Sequence, residues 1–187
     1  MLHKFRIQIN KPPVEVFQLL CNKDTYKQQN GSPVLLLEKT TTGPLGVGTC
    51  YREVVQMAPF IKSQILSEIT RYEPYSLLEE EWAGNGMEGV LTYLFHQAGQ
   101  GTELVQHVSI ETHWLLRPFD AIISKTYSKA AQYRLEGIKM MLETGHSPDI
   151  QKIKWWHFSK KGKRWYRSNS RKGTFFHLTN IGMSICT

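Results

Sequence analysis

The sequence predicts an α+β fold in which a curved antiparallel sheet wraps around one long C-terminal helix. Two observations carry this prediction. Short apolar runs, several alternating with period two, follow one another through residues 34–114, separated by turn signals and not by helices. The period then changes over residues 118–143 to the three-and-four spacing of a helix. Strands that meander without crossovers pair antiparallel. A helix of that length, roughly 39 Å at 1.5 Å per residue, spans a whole small sheet and covers its concave face.

In chain order, residues 2–9 alternate, with Phe5, Ile7 and Ile9 on one face and Lys4, Arg6 and Gln8 on the other. Pro12-Pro13 stops this strand, and Pro13 suits the first turn of a helix carrying Val14, Phe17, Leu20 and Cys21. A second helical piece is expected to start near Asp24. Strands follow over 34–39, 49–57, 60–70, 76–83, 89–97 and 102–114, with Gly84-Asn85-Gly86 as a hairpin signal. In the last helix Phe119, Ile122, Tyr127, Ala131, Ile138 and Leu142 recur on one stripe, and Gly145 suits its stop.

The chain of 187 residues is 41% apolar and 21% charged, a globular composition with room for one ordinary domain and a tail. No apolar run reaches the roughly 20 residues needed to cross a bilayer, and the first residues lack a secretory pattern, so the expected location is cytoplasmic. Cys21, Cys50 and Cys186 are scattered and odd in number; ordinary reduced cysteines are expected. The net charge of +7 is uneven: residues 1–145 sum to −1 and residues 146–187 to +8. The expected division is therefore a folded domain over 1–145 and a basic, aromatic-rich, flexible tail over 146–187.

Four motifs, in order, resemble those of the START-like superfamily, also called SRPBCC, the polyketide cyclase/dehydrase and lipid-transport group. They are Ile9-x-x-Pro12-Pro13-x-x-Val16-Phe17; Gly43-Pro44-Leu45-Gly46-Val47-Gly48-Thr49-Cys50-Tyr51-Arg52; Tyr93-x-Phe95 followed by Gly101-Thr102-Glu103-Leu104; and Leu135-x-x-Ile138-Lys139-x-x-Leu142-Glu143. The resemblance covers about residues 3–144. It implies a helix-grip fold, with a seven-stranded sheet, two small helices and a deep cavity under the long helix. It implies no fixed chemistry, since members carry lipids, sense hormones, act with chaperones or cyclise and dehydrate polyketides.

The glycines of 43–48 are followed by a strand, so the helix N-terminus of a phosphate cradle is missing and the loop reads as a turn at the cavity mouth. His107 and His113 share a strand face but stand about 20 Å apart, too far for metal–nitrogen bonds of about 2 Å; no metal and no cofactor is expected. No nucleophile motif occurs. Parity turns Tyr51, Glu53, Val55, Ser63 and Ile65 inward, with Tyr93 and Phe95, and with Gln106, Thr112 and Trp114 beside Leu104, Val108 and Ile110; His107 and Glu111 point out. Glu80 faces inward with Leu78 and Trp82 if that strand is phased so.

The expected ligand-lining set is Tyr51, Glu53, Ser63, Ile65, Trp82, Tyr93, Phe95, Gln106, Trp114 and Tyr127. An aromatic and aliphatic interior with a few polar points is how small-molecule sites are built; a plainly filled core is the alternative. The expected function is binding of an apolar or amphipathic, lipid- or polyketide-like molecule. A cyclase or dehydratase is the alternative, and it would need an interior acid or base, for which only Glu53 or Glu80 is available. The tail, with Trp155-Trp156 and Lys160-Lys161-Gly162-Lys163-Arg164-Trp165, suits an extension without defined role, contact with nucleic acid, or contact with an anionic membrane.

Overall fold

The computed structural model describes residues 1–24, 34–58 and 61–146. Seven strands, β1 (Leu2–Ile9), β2 (Val34–Lys39), β3 (Cys50–Ala58), β4 (Ile61–Glu73), β5 (Leu77–Gly84), β6 (Met87–Ala98) and β7 (Gly101–Thr112), form one sheet. The order is β1-β7-β6-β5-β4-β3-β2, and every neighbouring pair is antiparallel. Hairpins join β3 through β7, and β1 pairs with β7, so the one long connection is the segment carrying α1, which takes the chain from β1 at one edge to β2 at the other. Helix α1 (Pro13–Cys21) follows β1, and α2 (Asp120–Thr144) follows β7 through a 3-10 turn at Arg117–Phe119. This is the α+β arrangement that the patterning predicts and the helix-grip fold that the resemblance implies. The helical piece expected near Asp24 lies outside the described residues from position 25 on, as does the tail from position 147.

Local chemistry explains the boundaries. Pro13 opens α1 where no backbone donor is needed, and Gly145 closes α2 in the left-handed conformation, its N–H donating to the Met141 carbonyl at 3.0 Å. The β5–β6 hairpin turns on Asn85 and Gly86, both at positive φ (55° and 69°), the geometry that matches the sheet's twist. Gly43 and Gly48 also have positive φ, and the 43–48 segment leads into a strand, as a structural loop does.

The core lies at one end of the concave face. Val16, Phe17 and Leu20 of α1 meet Ile9, Phe95, Leu104, and Leu135 and Ile138 of α2. Of the helical stripe read in the sequence, Ala131 and Ile138 are buried and Leu142 is half-buried, whereas Phe119 and Ile122 are 53% and 52% exposed. The first turns of α2 instead meet the sheet through polar groups: Thr112 Oγ1 donates to Asp120 Oδ1 at 2.6 Å, and the Ser124 and Ser128 hydroxyls lie 3.4 and 3.1 Å from the ring nitrogens of His3, a correction to the expectation of one continuous packed apolar stripe. Cys21 is a free thiol, but Cys50 is disulfide-bonded, which departs from the reduced cysteines expected. Among the described residues no helix is long and apolar enough to cross a membrane.

Candidate functional site

Directly opposed residues on neighbouring strands share a face, so the register maps the concave surface. One row runs Phe5, Gln106, Tyr93, Leu78 across β1, β7, β6 and β5. Another runs Gly89, Trp82, Ser67, Tyr51 across β6 to β3, with Ile65 opposite Glu53 and Ser63 opposite Val55 further along β3 and β4. Tyr51, Ser63, Tyr93 and Gln106 are buried there, and Glu53, Ile65 and Trp82 half-buried.

Three further members of the expected set are Phe95, Trp114 and Tyr127. Phe95 is spent in packing, its ring 5.1 Å from that of Phe17. Trp114 lies beyond the end of β7 and is 66% exposed, so the parity that turned it inward does not apply. The chain leaves the ladder there: the His113 N–H donates to the Gly86 carbonyl, and the Leu116 N–H to the His113 carbonyl. Tyr127 is carried by α2 and stacks obliquely on His3, with ring centroids 5.8 Å apart. Burial pushes its phenol above the usual range, and Arg134, further along the helix, opposes this. The same two influences act on the fully buried Tyr93 phenol. Tyr93, Tyr127 and Gln106 thus gather beneath α2 near Arg134.

The largest polar feature was absent from the expected set. Lys23, just past α1, is 7% exposed and reaches back over the sheet. Its ammonium donates to Glu80 Oε2 at 2.7 Å, lies 3.4 Å from Ser67 Oγ and 3.7 Å from Glu53 Oε1, and stands 4.2 Å above the centre of the Tyr51 ring. Glu80 faces inward, in the phase that places it with Leu78 and Trp82, and its side chain is 10% exposed. Two inward carboxylates on nearby strands call for a counter-charge; that was the available signal, but nothing in the sequence says which lysine answers it.

The pair perturbs its neighbours. Burial pushes the Tyr51 phenol up to about 12, with Glu80 and then Cys21, Asp24 and Glu53 adding to the rise. Burial likewise raises the Cys21 thiol to about 11, with a hydrogen bond to Tyr72 and the charge of Lys23 opposing, and Glu80 adding. A thiol moved from 9.0 to about 11 holds about a hundredfold less thiolate at pH 8. Iodoacetamide is accordingly expected to label Cys21 about a hundredfold more slowly than an unburied thiol, followed by peptide mapping over time; a rate within threefold would contradict the shift. Beside Cys21, a surface groove of about 430 Å³ is lined by Phe17, Gln18, Asn22, Tyr72, Pro74 and Tyr75.

On the convex side His107 is half-buried opposite Lys4, as its parity required, and burial followed by Lys4 and Arg6 lowers its pKa. Among the described residues no group of three or more His, Cys, Asp or Glu side chains is placed to hold a metal ion.

No family model and no curated protein sequence matches this chain. Solved structures do. TTHA0849 from Thermus thermophilus superposes with a TM-score of 0.58 at 21% identity, over 79% of this chain and 100% of that one. Ara h 8.0201 gives 0.61 at 15% identity, over 76% and 98%. The Zhui aromatase/cyclase from Streptomyces sp. R1128 gives 0.60 at 11% identity, over 79% and 99%. Together these establish a helix-grip fold of seven strands and a long C-terminal helix. At such identities the likeness is one of fold.

Proposed function

We propose that this protein binds an apolar or amphipathic small molecule between the concave face of the sheet and α2. The observation that carries the reading is Gln106. It is 0% exposed, and neither its amide oxygen nor its amide nitrogen has a hydrogen-bond partner among the described residues. Ser63 Oγ is in the same condition. Each such group costs about 1–3 kcal/mol when left unmade, and an apolar side chain of equal size would avoid that cost. Polar groups set singly into an aromatic and aliphatic surface are the arrangement that orients a bound organic molecule. The helix-grip fold is consistent with a space for it.

The direct test is native mass spectrometry of the full chain with organic extraction, followed by thermal melts against fatty alcohols, sterols and flavonoids. A compound at a hundred times its Kd is expected to raise Tm by about 5–10 °C. A clean apo mass with no shift across the panel would leave Gln106 as a costly feature of a filled core.

Gln106→Met separates the two cases further. The unliganded protein is expected to gain about 1–3 kcal/mol, measured by urea denaturation, while affinity for any compound found above falls. A loss of stability in the variant would show that the amide already has partners in the unliganded fold.

A further inference from the structure

The ligand's polar end is legible in the charges around Lys23, an inference that rests on the binding reading above. One ammonium faces two carboxylates, so the cluster of Lys23, Glu53 and Glu80 carries a formal charge of −1. The ammonium is already engaged: Glu80 Oε2 accepts a hydrogen bond from it at 2.7 Å, Ser67 Oγ lies at 3.4 Å, and Glu53 Oε1 is within ion-pair reach at 3.7 Å. Its underside rests on the Tyr51 ring. Carboxylate oxygens are therefore in surplus and donors are not. Glu53, with 21% of its side chain exposed, is the most open group of the set. The raised phenol of Tyr51, to which both glutamates contribute after burial, reports the same negative field.

A second, independent observation lies beside it. Ser63, 3% exposed, has an unpartnered hydroxyl on the same face of the sheet. It is the diagonal neighbour of Glu53, since Glu53 opposes Ile65 and Ser63 opposes Val55. Diagonal positions are roughly 7–8 Å apart at the backbone, and one oxygen making two hydrogen bonds of about 2.7 Å spans the gap between two such side chains. The bridging group must give a proton to a carboxylate and accept one from a serine hydroxyl. An alcohol or phenol does both. A carboxylate has no proton to give and meets like charge, and an ether can only accept.

We propose that Glu53, Ser63 and the Lys23–Glu80 pair form the polar end of the cavity, and that this end selects an apolar molecule bearing an uncharged hydroxyl while rejecting the matching carboxylic acid. Three probes of one skeleton test this on the full chain by isothermal calorimetry: a naphthol, its methyl ether and the corresponding naphthoate. The naphthol is expected to bind about tenfold more tightly than the ether, and the naphthoate more weakly than either. Glu53→Gln, a partly exposed position, is expected to keep the fold and to narrow the gap between naphthol and naphthoate. Ser63→Ala is expected to weaken the naphthol and leave the ether within twofold. A naphthoate that binds as well as the naphthol, or an ether equal to it, overturns the selectivity and leaves small-molecule binding standing. No binding by any of the three, with the earlier panel also silent, overturns both.

Discussion

Replacing Lys23 by Met is expected to destabilise the fold by about 3–5 kcal/mol, measured as a fall in the urea midpoint at unchanged slope. Whether such a change is large or small turns on burial. An exposed ion pair is worth about 0–1 kcal/mol, because water replaces the lost partner. Lys23 and Glu80 have side chains 7% and 10% exposed, and their contact is 2.7 Å. Water does not reach Glu80 freely, so removing the ammonium leaves a carboxylate on the concave face with its main partner gone. The attraction of Lys23 to the Tyr51 ring is lost as well.

The magnitude measures the stranded charge, not the net worth of the pair. The double variant Lys23→Met with Glu80→Gln is therefore expected to recover several kcal/mol of the single variant's loss. A single-variant loss under about 1 kcal/mol, the exposed-pair value, would mean that the cluster is solvated, and the selectivity drawn from its charge would fall with it.

The elements of this fold are local in origin, which is why they were legible. Alternation marks β1 and β4, Asn85-Gly86 marks the hairpin, and Pro13 and Gly145 bracket the two helices. Face assignments held where a ladder was regular, as for Tyr51, Glu53 and Ser63. They lose their footing wherever the register slips. β4 carries an irregularity between Ile69 and Arg71, so Ile69 opposes Glu80 while Arg71 opposes Glu79. Counting by twos through such a bulge inverts the face, and the phase of Glu80 therefore stayed open until the pairing was known.

Trp114 shows the same limit at a strand end, because parity has meaning only while the ladder lasts, and it stops at Thr112. Phe119 and Ile122 show it for the helix: in its first turns the residues that meet the sheet are Asp120, Ser124 and Ser128, and the apolar ones are turned outward. Lys23 lies outside every periodic element, and only tertiary placement turns a lysine after a helix into the counter-charge of a buried glutamate. The charge demand was visible, and its answer was not.

A second large effect is expected at Gly89, where the concave surface is shaped by the absence of a side chain. Gly89 sits on β6 opposite Trp82 on one side and Ile110 on the other. A Cβ built there would lie 2.2 Å from the Ser109 carbonyl oxygen and 2.9 Å from Cζ2 of Trp82. The indole can rotate away, but a carbonyl held in the β6–β7 ladder cannot, so the strands themselves must separate. Gly89→Ala is accordingly expected to cost about 3 kcal/mol, the upper part of the range for overpacking, even after the modest entropic gain from stiffening the unfolded chain. Gly46→Ala, where an added Cβ meets nothing within 4 Å, is the matched control and is expected to stay within about 0.5 kcal/mol of the parent. Shortening the indole discriminates between the two clashes: Gly89→Ala with Trp82→Phe is expected to recover only part of the loss, since the Ser109 oxygen still stands in the way. Full recovery would assign the strain to Trp82 alone. In that case the close approach of indole to backbone, and not the spacing of β6 and β7, is what requires glycine on this part of the concave face.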